Sequence, residues 1–119
     1  MPTYLALFAY TGDTWQRLMG SSGDRTSAIT AAAQAAGASL RSVHWMLGSY
    51  DGVLVLDAPD SVSAAAVSVT AMSSGAFRAV ETHELFTQDQ LEGILSRAAD
   101  ARAVFSPPGG ARQGSAGPE

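Results

Sequence analysis

Between Val43-His44-Trp45-Met46-Leu47 and Val53-Leu54-Val55-Leu56 stand only five residues, Gly48-Ser49-Tyr50-Asp51-Gly52, and two apolar runs that close together demand a reversal of the chain. Gly48 and Gly52 can take positive φ without a Cβ clash, and Asp51 can hydrogen-bond its own backbone. The stretch therefore predicts the tip of a β-hairpin. The other elements can be placed around it.

From Thr3 to Tyr10 nearly every residue is apolar or aromatic, so both faces, Tyr4/Ala6/Phe8/Tyr10 and Leu5/Leu7/Ala9, require cover, as in a central strand. Thr11 to Gly23 holds turn residues around Thr14-Trp15-Gln16-Arg17-Leu18-Met19, enough for a helical turn or two. An alanine-rich helix then starts at Asp24 or Thr26 and stops at Gly37. Leu40 to Leu47 is a second strand with the polar interruptions Arg41, Ser42 and His44, the pattern of an edge. Val53 to Ala58 is apolar except for Asp57, the pattern of a centre. Asp60 is the N-cap of a second long helix with Val62, Ala66, Val69 and Met72 on one stripe, closed by Ser73-Ser74-Gly75. Phe77 to Leu85, with Arg78, Glu81, His83 and Glu84, is a second edge strand. Thr87 and Gln90 then form a capping box, and Phe86 with Leu91 a hydrophobic staple, for a last helix whose Leu91, Ile94, Leu95 and Ala98 are expected to face inward. The folded domain is expected over residues 1–105, and the Pro- and Gly-rich residues 106–119 as a flexible tail.

Strand, helix, strand, strand, helix, strand is the split βαβ order, an α+β, ferredoxin-like βαββαβ sheet followed here by a C-terminal helix. Helices cover one face of such a sheet, yet the central strands are apolar on both. The free face is therefore expected to pack on a second copy, making a homodimer in the form of a dimeric α+β barrel. Composition points the same way, because 46% hydrophobic against 15% charged residues leaves surface for a partner to cover.

Several functional classes fall away. The formal charge is -4 and the seven basic residues, all arginine, are scattered, which leaves no electrostatic footprint for nucleic acid or an anionic membrane. Without cysteine there is no disulfide, thiolate nucleophile or zinc ribbon. Leu5-Ala6-Leu7-Phe8-Ala9 is too short to span a bilayer and has no basic segment before it, so a cytoplasmic protein is expected. Neither a P-loop nor a G-x-S-x-G elbow is present.

Strand one ending in Tyr10-Thr11, the near-following Trp15, the Leu47-Gly48-Ser49-Tyr50-Asp51 turn, the strand running into Asp57-Ala58-Pro59-Asp60, and the strand end Thr82 to Thr87 together resemble the GYD domain family over roughly Pro2 to Leu95. The resemblance marks Gly48, Tyr50 and Asp51 as motif positions. It implies a branch of the stand-alone dimeric α+β barrels, whose relatives include cofactor-free monooxygenases, polyketide cyclases, isomerases and dye- or haem-handling enzymes. The family brings no settled activity or catalytic set.

Each candidate residue has a packing reading beside a chemical one. Tyr50 and Asp51 are either hairpin packing and backbone capping or the rim of a pocket in which Asp51 orients a hydroxyl. His44 is either a hydrogen-bonded edge histidine or a general base, with Trp15, Trp45 and Met46 as an apolar surround. His44 and Trp45 point to opposite faces, so only one of them can look into a pocket between sheet and helices. Glu81 and His83 share a strand face and could bind a metal, but His44 and His83 on opposite edges stand three strand spacings, about 14 Å, apart, too far to share an ion within one subunit. The expectation is a small organic molecule in an apolar pocket, with His44, Tyr50, Asp51 and His83 as catalytic candidates, Tyr10, Trp15 and Trp45 as ligand-binding wall, and no cofactor or metal. The function class is a cofactor-independent enzyme of secondary metabolism, of cyclase, isomerase or monooxygenase type, or alternatively a non-catalytic dimerisation or regulatory module.

Overall fold

The computed structural model describes residues 1–109, so residues 110–119, most of the expected tail, lie outside the described residues. The elements run β1 (Thr3–Tyr10), α1 (Gly12–Gly20), α2 (Arg25–Ala35), β2 (Ser39–Trp45), β3 (Gly52–Asp57), α3 (Ser61–Ser73), β4 (Phe77–Leu85) and α4 (Gln88–Arg102). Two compact units divide them: Met1–Leu85 holds the sheet with α1, α2 and α3, and the second, from Phe86, holds α4. Each helix of the first unit begins on a side-chain cap. The Thr11 hydroxyl accepts from the Thr14 N–H, the Asp24 carboxylate from the Ser27 N–H and the Asp60 carboxylate from the Ser63 N–H. No helix among the described residues is long and apolar enough to cross a membrane.

The four strands form one antiparallel sheet in the order β2-β3-β1-β4, the ferredoxin-like arrangement with β1 and β3 central. Tyr4, Ala6, Phe8 and Tyr10 of β1 and Leu54 and Leu56 of β3 turn to the helices and form the core with Ala33 of α2 and Ala64 of α3. Alanines at these helix positions let the backbones lie close on the sheet. The opposite face carries Leu5 and Leu7 of β1 and Val53 and Val55 of β3, all four half-buried.

Both edge strands depart from simple alternation. In β2 the register shifts between Leu40 and Ser42, so Leu40 pairs with Leu56 and Val43 with Leu54, and both turn to the core although they are three positions apart. In β4 a shift places Phe77 opposite Tyr10 and Val80 opposite Phe8, again an odd spacing on one face. Arg41 and Arg78 are the residues displaced by these bulges.

Three sequence expectations need correction. Val62 and Val69 of α3, expected on its inward stripe, are 76% and 66% exposed, and Met72 is also exposed; Ala64 is the buried residue, with Val67 packed beside the core. No residue of α4 is buried, so the inward set Leu91, Ile94, Leu95 and Ala98 is not formed within the second unit, although its Thr87–Gln90 capping box is present. Gly48 has a φ of 131°, as the turn requires, but Gly52 is glycine for a different reason. A Cβ there would overlap the end of the Phe8 ring.

Phe8 cannot yield easily, since its ring packs edge-on against Tyr10 and Phe77 at centroid distances of 5.3 and 5.6 Å. Gly52→Ala is therefore expected to cost about 1–3 kcal/mol by overpacking. In urea unfolding Gly52→Ala should cost less in a Phe8→Leu background than in the parent protein, the coupling that a double-variant cycle reads.

Candidate functional site

Asp51 holds the hairpin to the rest of the sheet. Its Oδ2 accepts the Tyr10 backbone N–H at 2.8 Å and the Trp15 indole N–H at 3.3 Å. Its own N–H donates to the Phe8 carbonyl and its carbonyl accepts the Met46 N–H, both at 2.8 Å. One residue thus ties the turn to the end of β1, to α1 and to the end of β2. The Trp45 indole N–H donates to the Tyr10 hydroxyl at 3.3 Å, and the Tyr10 and Trp15 rings meet edge-on at 5.1 Å. Tyr10, Trp15, Trp45 and Asp51, four of the seven candidates, therefore gather at one end of the sheet. Trp15 and Trp45 line an open cleft of about 700 Å³ with Leu18, Met19 and Arg25.

On the far face of the sheet a different set converges. Tyr50 reaches across to β4, where its hydroxyl donates to Glu81 Oε2 at 2.7 Å, and Glu81 Oε1 lies 2.8 Å from His83 Nε2. Arg78 steadies the turn by donating to the Ser49 carbonyl at 3.0 Å. Tyr50 and His83 are thus brought together, but only through Glu81, which the sequence offers as a possible metal ligand and not as the link between them. The alternation in Glu81-Thr82-His83 puts those two side chains on one face; nothing in the sequence tells which strand the turn's tyrosine reaches. His44 pairs with Val53 on this same face at the opposite edge, and Trp45 pairs with Gly52 on the helix side. That settles which of the two neighbours looks toward the helices. Among the described residues no group of three or more His, Cys, Asp or Glu side chains stands together to hold a metal ion.

The Tyr50 hydrogen bond, followed by that to His83, holds the Glu81 carboxyl below its ordinary range, and the same Glu81 bond pushes the Tyr50 phenol up. A depressed carboxylate stabilises the fold above its unfolded value, and that contribution is lost as pH falls through the folded value. A raised phenol stabilises below its unfolded value and loses that contribution as pH rises through the folded one.

Between the sheet and α1, α2 and α3 lies a cavity of about 380 Å³. Phe8, Ile29, Leu54, Val67, Phe77 and Val80 give it an apolar wall. Arg17 and Arg25 also line it, two residues that the sequence reading does not single out. Their only sequence signal is position, in the short helix and just after the Asp24 cap.

Two measurements test these contacts. Asp51→Ala should destabilise the protein by about 1–3 kcal/mol in urea unfolding, because the Tyr10 N–H loses its acceptor, and should shift the Trp15 fluorescence. Tyr50→Phe should raise the Glu81 pKa toward the ordinary carboxylate value in a carboxyl ¹³C titration.

Comparison with known proteins gives the following. The GYD domain family model matches residues 4–95. No curated protein matches the chain. Among solved structures the chain is similar to TTHA0845 from Thermus thermophilus, with a TM-score of 0.49 and 20% sequence identity over 73% of this chain and 95% of that one.

Proposed function

The chain belongs to the GYD domain family, and from that premise we propose that it binds a small organic molecule in the cavity beneath α1, α2 and α3, working as a homodimer paired through the open face of its sheet. The observation that carries the reading is the cavity itself. A volume of about 380 Å³ lies within the range of small-molecule sites, and its walls are mainly aromatic and aliphatic with a few polar groups. Pairing rests on Leu5, Leu7, Val53 and Val55, a half-buried apolar strip on the face of the sheet opposite α1, α2 and α3.

Among the described residues that line the cavity there is no histidine or carboxylate to serve as the acid–base group of cyclase or isomerase chemistry. This favours ligand handling there. A catalytic reading attaches instead to the open face, where Tyr50, Glu81 and His83 form a hydrogen-bonded chain of proton-exchanging groups. In a dimer paired through that face these groups would sit near the partner, and His83→Gln would then abolish turnover without emptying the cavity.

Native mass spectrometry of gently purified protein tests both parts. A dimer with retained small extra mass is expected. Ala32→Trp, which fills the cavity, should lose the extra mass and keep the dimer. Leu7→Glu, on the open face, should give a monomer. Retention of the mass by Ala32→Trp would exclude the cavity as the site, and a monomeric parent protein would exclude the pairing.

A further inference from the structure

The hydrogen-bonding state of the cavity wall specifies what kind of molecule fits it. Its hydroxyls are already engaged: Thr14 donates to the Ala76 carbonyl at 2.8 Å, Thr70 to Ala66 at 2.8 Å and Ser74 to Ala71 at 2.6 Å. Ser68 and Thr82 bond each other at 2.5 Å. The Tyr10 oxygen accepts the Trp45 indole and leaves its O–H to donate. Beside that hydroxyl, what remains uncommitted is guanidinium. Arg17 and Arg25 line the cavity, and neither is among the ion pairs of the described residues, which join Arg41 to Asp57 and His83 to Glu81. Asp24, on the rim of the neighbouring cleft, has both carboxylate oxygens on Ser27.

Arg25 stands out further, because its Nε is shut off from solvent and has no hydrogen-bond partner. Buried polar groups are nearly always paired, and a cationic donor left without an acceptor costs more than a neutral one. Arg25 and Leu18 line both the inner cavity and the outer cleft of Trp15 and Trp45, so Arg25 belongs to the wall that the two spaces share. A ligand there would set an apolar body against Phe8, Val67 and Phe77 and an acceptor against Arg25. A guanidinium fork matches a carboxylate with two parallel hydrogen bonds, and a second arginine adds to the attraction for negative charge.

We infer that the cavity takes an organic monocarboxylate with an apolar body, its carboxylate bound by Arg25 with Arg17 beside it. The inference rests on the cavity being the ligand site and adds the charge of the ligand.

Isothermal titration of the full chain with two matched pairs is the test: octanoate against 1-octanol, and 2-naphthoate against 2-naphthylmethanol. At least one acid should bind roughly tenfold or more tightly than its alcohol, the range of a charge-assisted hydrogen bond. The pair that binds tells a linear from a planar body. Arg25→Met should erase the preference and keep the alcohol's affinity, Arg17→Gln should reduce it, and Arg25→Lys, which retains the charge without the fork, should keep part of it. Equal binding of acid and alcohol would overturn the charge assignment and leave the cavity as a site for neutral molecules. A preference surviving both Arg25→Met and Arg17→Gln would overturn the two residues named. No binding by any of the four would overturn this inference together with the cavity reading.

Discussion

Side chains alternate across a β-strand, and in a sheet with α1, α2 and α3 on one face this parity governs where each strand-borne candidate group can act. Tyr4, Ala6, Phe8 and Tyr10 turn toward the helices; all four belong to the core, and the last three line the cavity as well. Their neighbours Leu5 and Leu7 turn the other way, and with them go Glu81 and His83, opposite Leu7 and Leu5 in the register. His44, opposite Val53, follows the same face. The molecule therefore separates a cavity whose available polar groups are donors from a face that carries its imidazoles and Glu81. No small side-chain movement can exchange the two, because changing face requires a register slip of a whole strand.

Where parity alone would misplace a side chain, the edges bend to correct it. Leu40 and Val43 could not both reach the core from a regular strand, nor could Phe77 and Val80. One extra residue in each strand, Arg41 and Arg78, resolves the conflict. The second bulge also serves the turn, since the Arg78 guanidinium reaches the Ser49 carbonyl. Asp51 completes the attachment from the other side by satisfying the Tyr10 N–H, and the absent side chain of Gly52 gives room for the Phe8 ring. The three motif residues thus divide their work. Gly48 makes the turn, Asp51 anchors it, and Tyr50 carries it to Glu81.

The Trp15 and Trp45 wall and the inner cavity are neighbours that share Leu18 and Arg25. Both indoles are committed by their N–H groups, one to Asp51 and one to Tyr10, so they stand as a fixed aromatic rim around the outer cleft. Arg25 lies on the wall common to both spaces.

Sequence by itself determined the element order, the central and edge strands, the hairpin turn and the caps at Asp60 and Thr87, because each depends on a local pattern of polarity or a local hydrogen bond; it left Asp24 and Thr26 both open as the start of α2, and the structure selects Asp24. It also placed Glu81 and His83 together, since two residues apart on a strand is a local relation. Only the tertiary structure decided that Trp45 rather than His44 faces the helices, because a bulge at Arg41 sits in that strand and the sheet's two faces are told apart only once the helices dock. It decided too that Tyr50 meets Glu81, that Gly52 must admit Phe8, and that Arg25 Nε ends buried without an acceptor. Those contacts join residues distant along the chain or arise from packing around a cavity, and no periodicity encodes them.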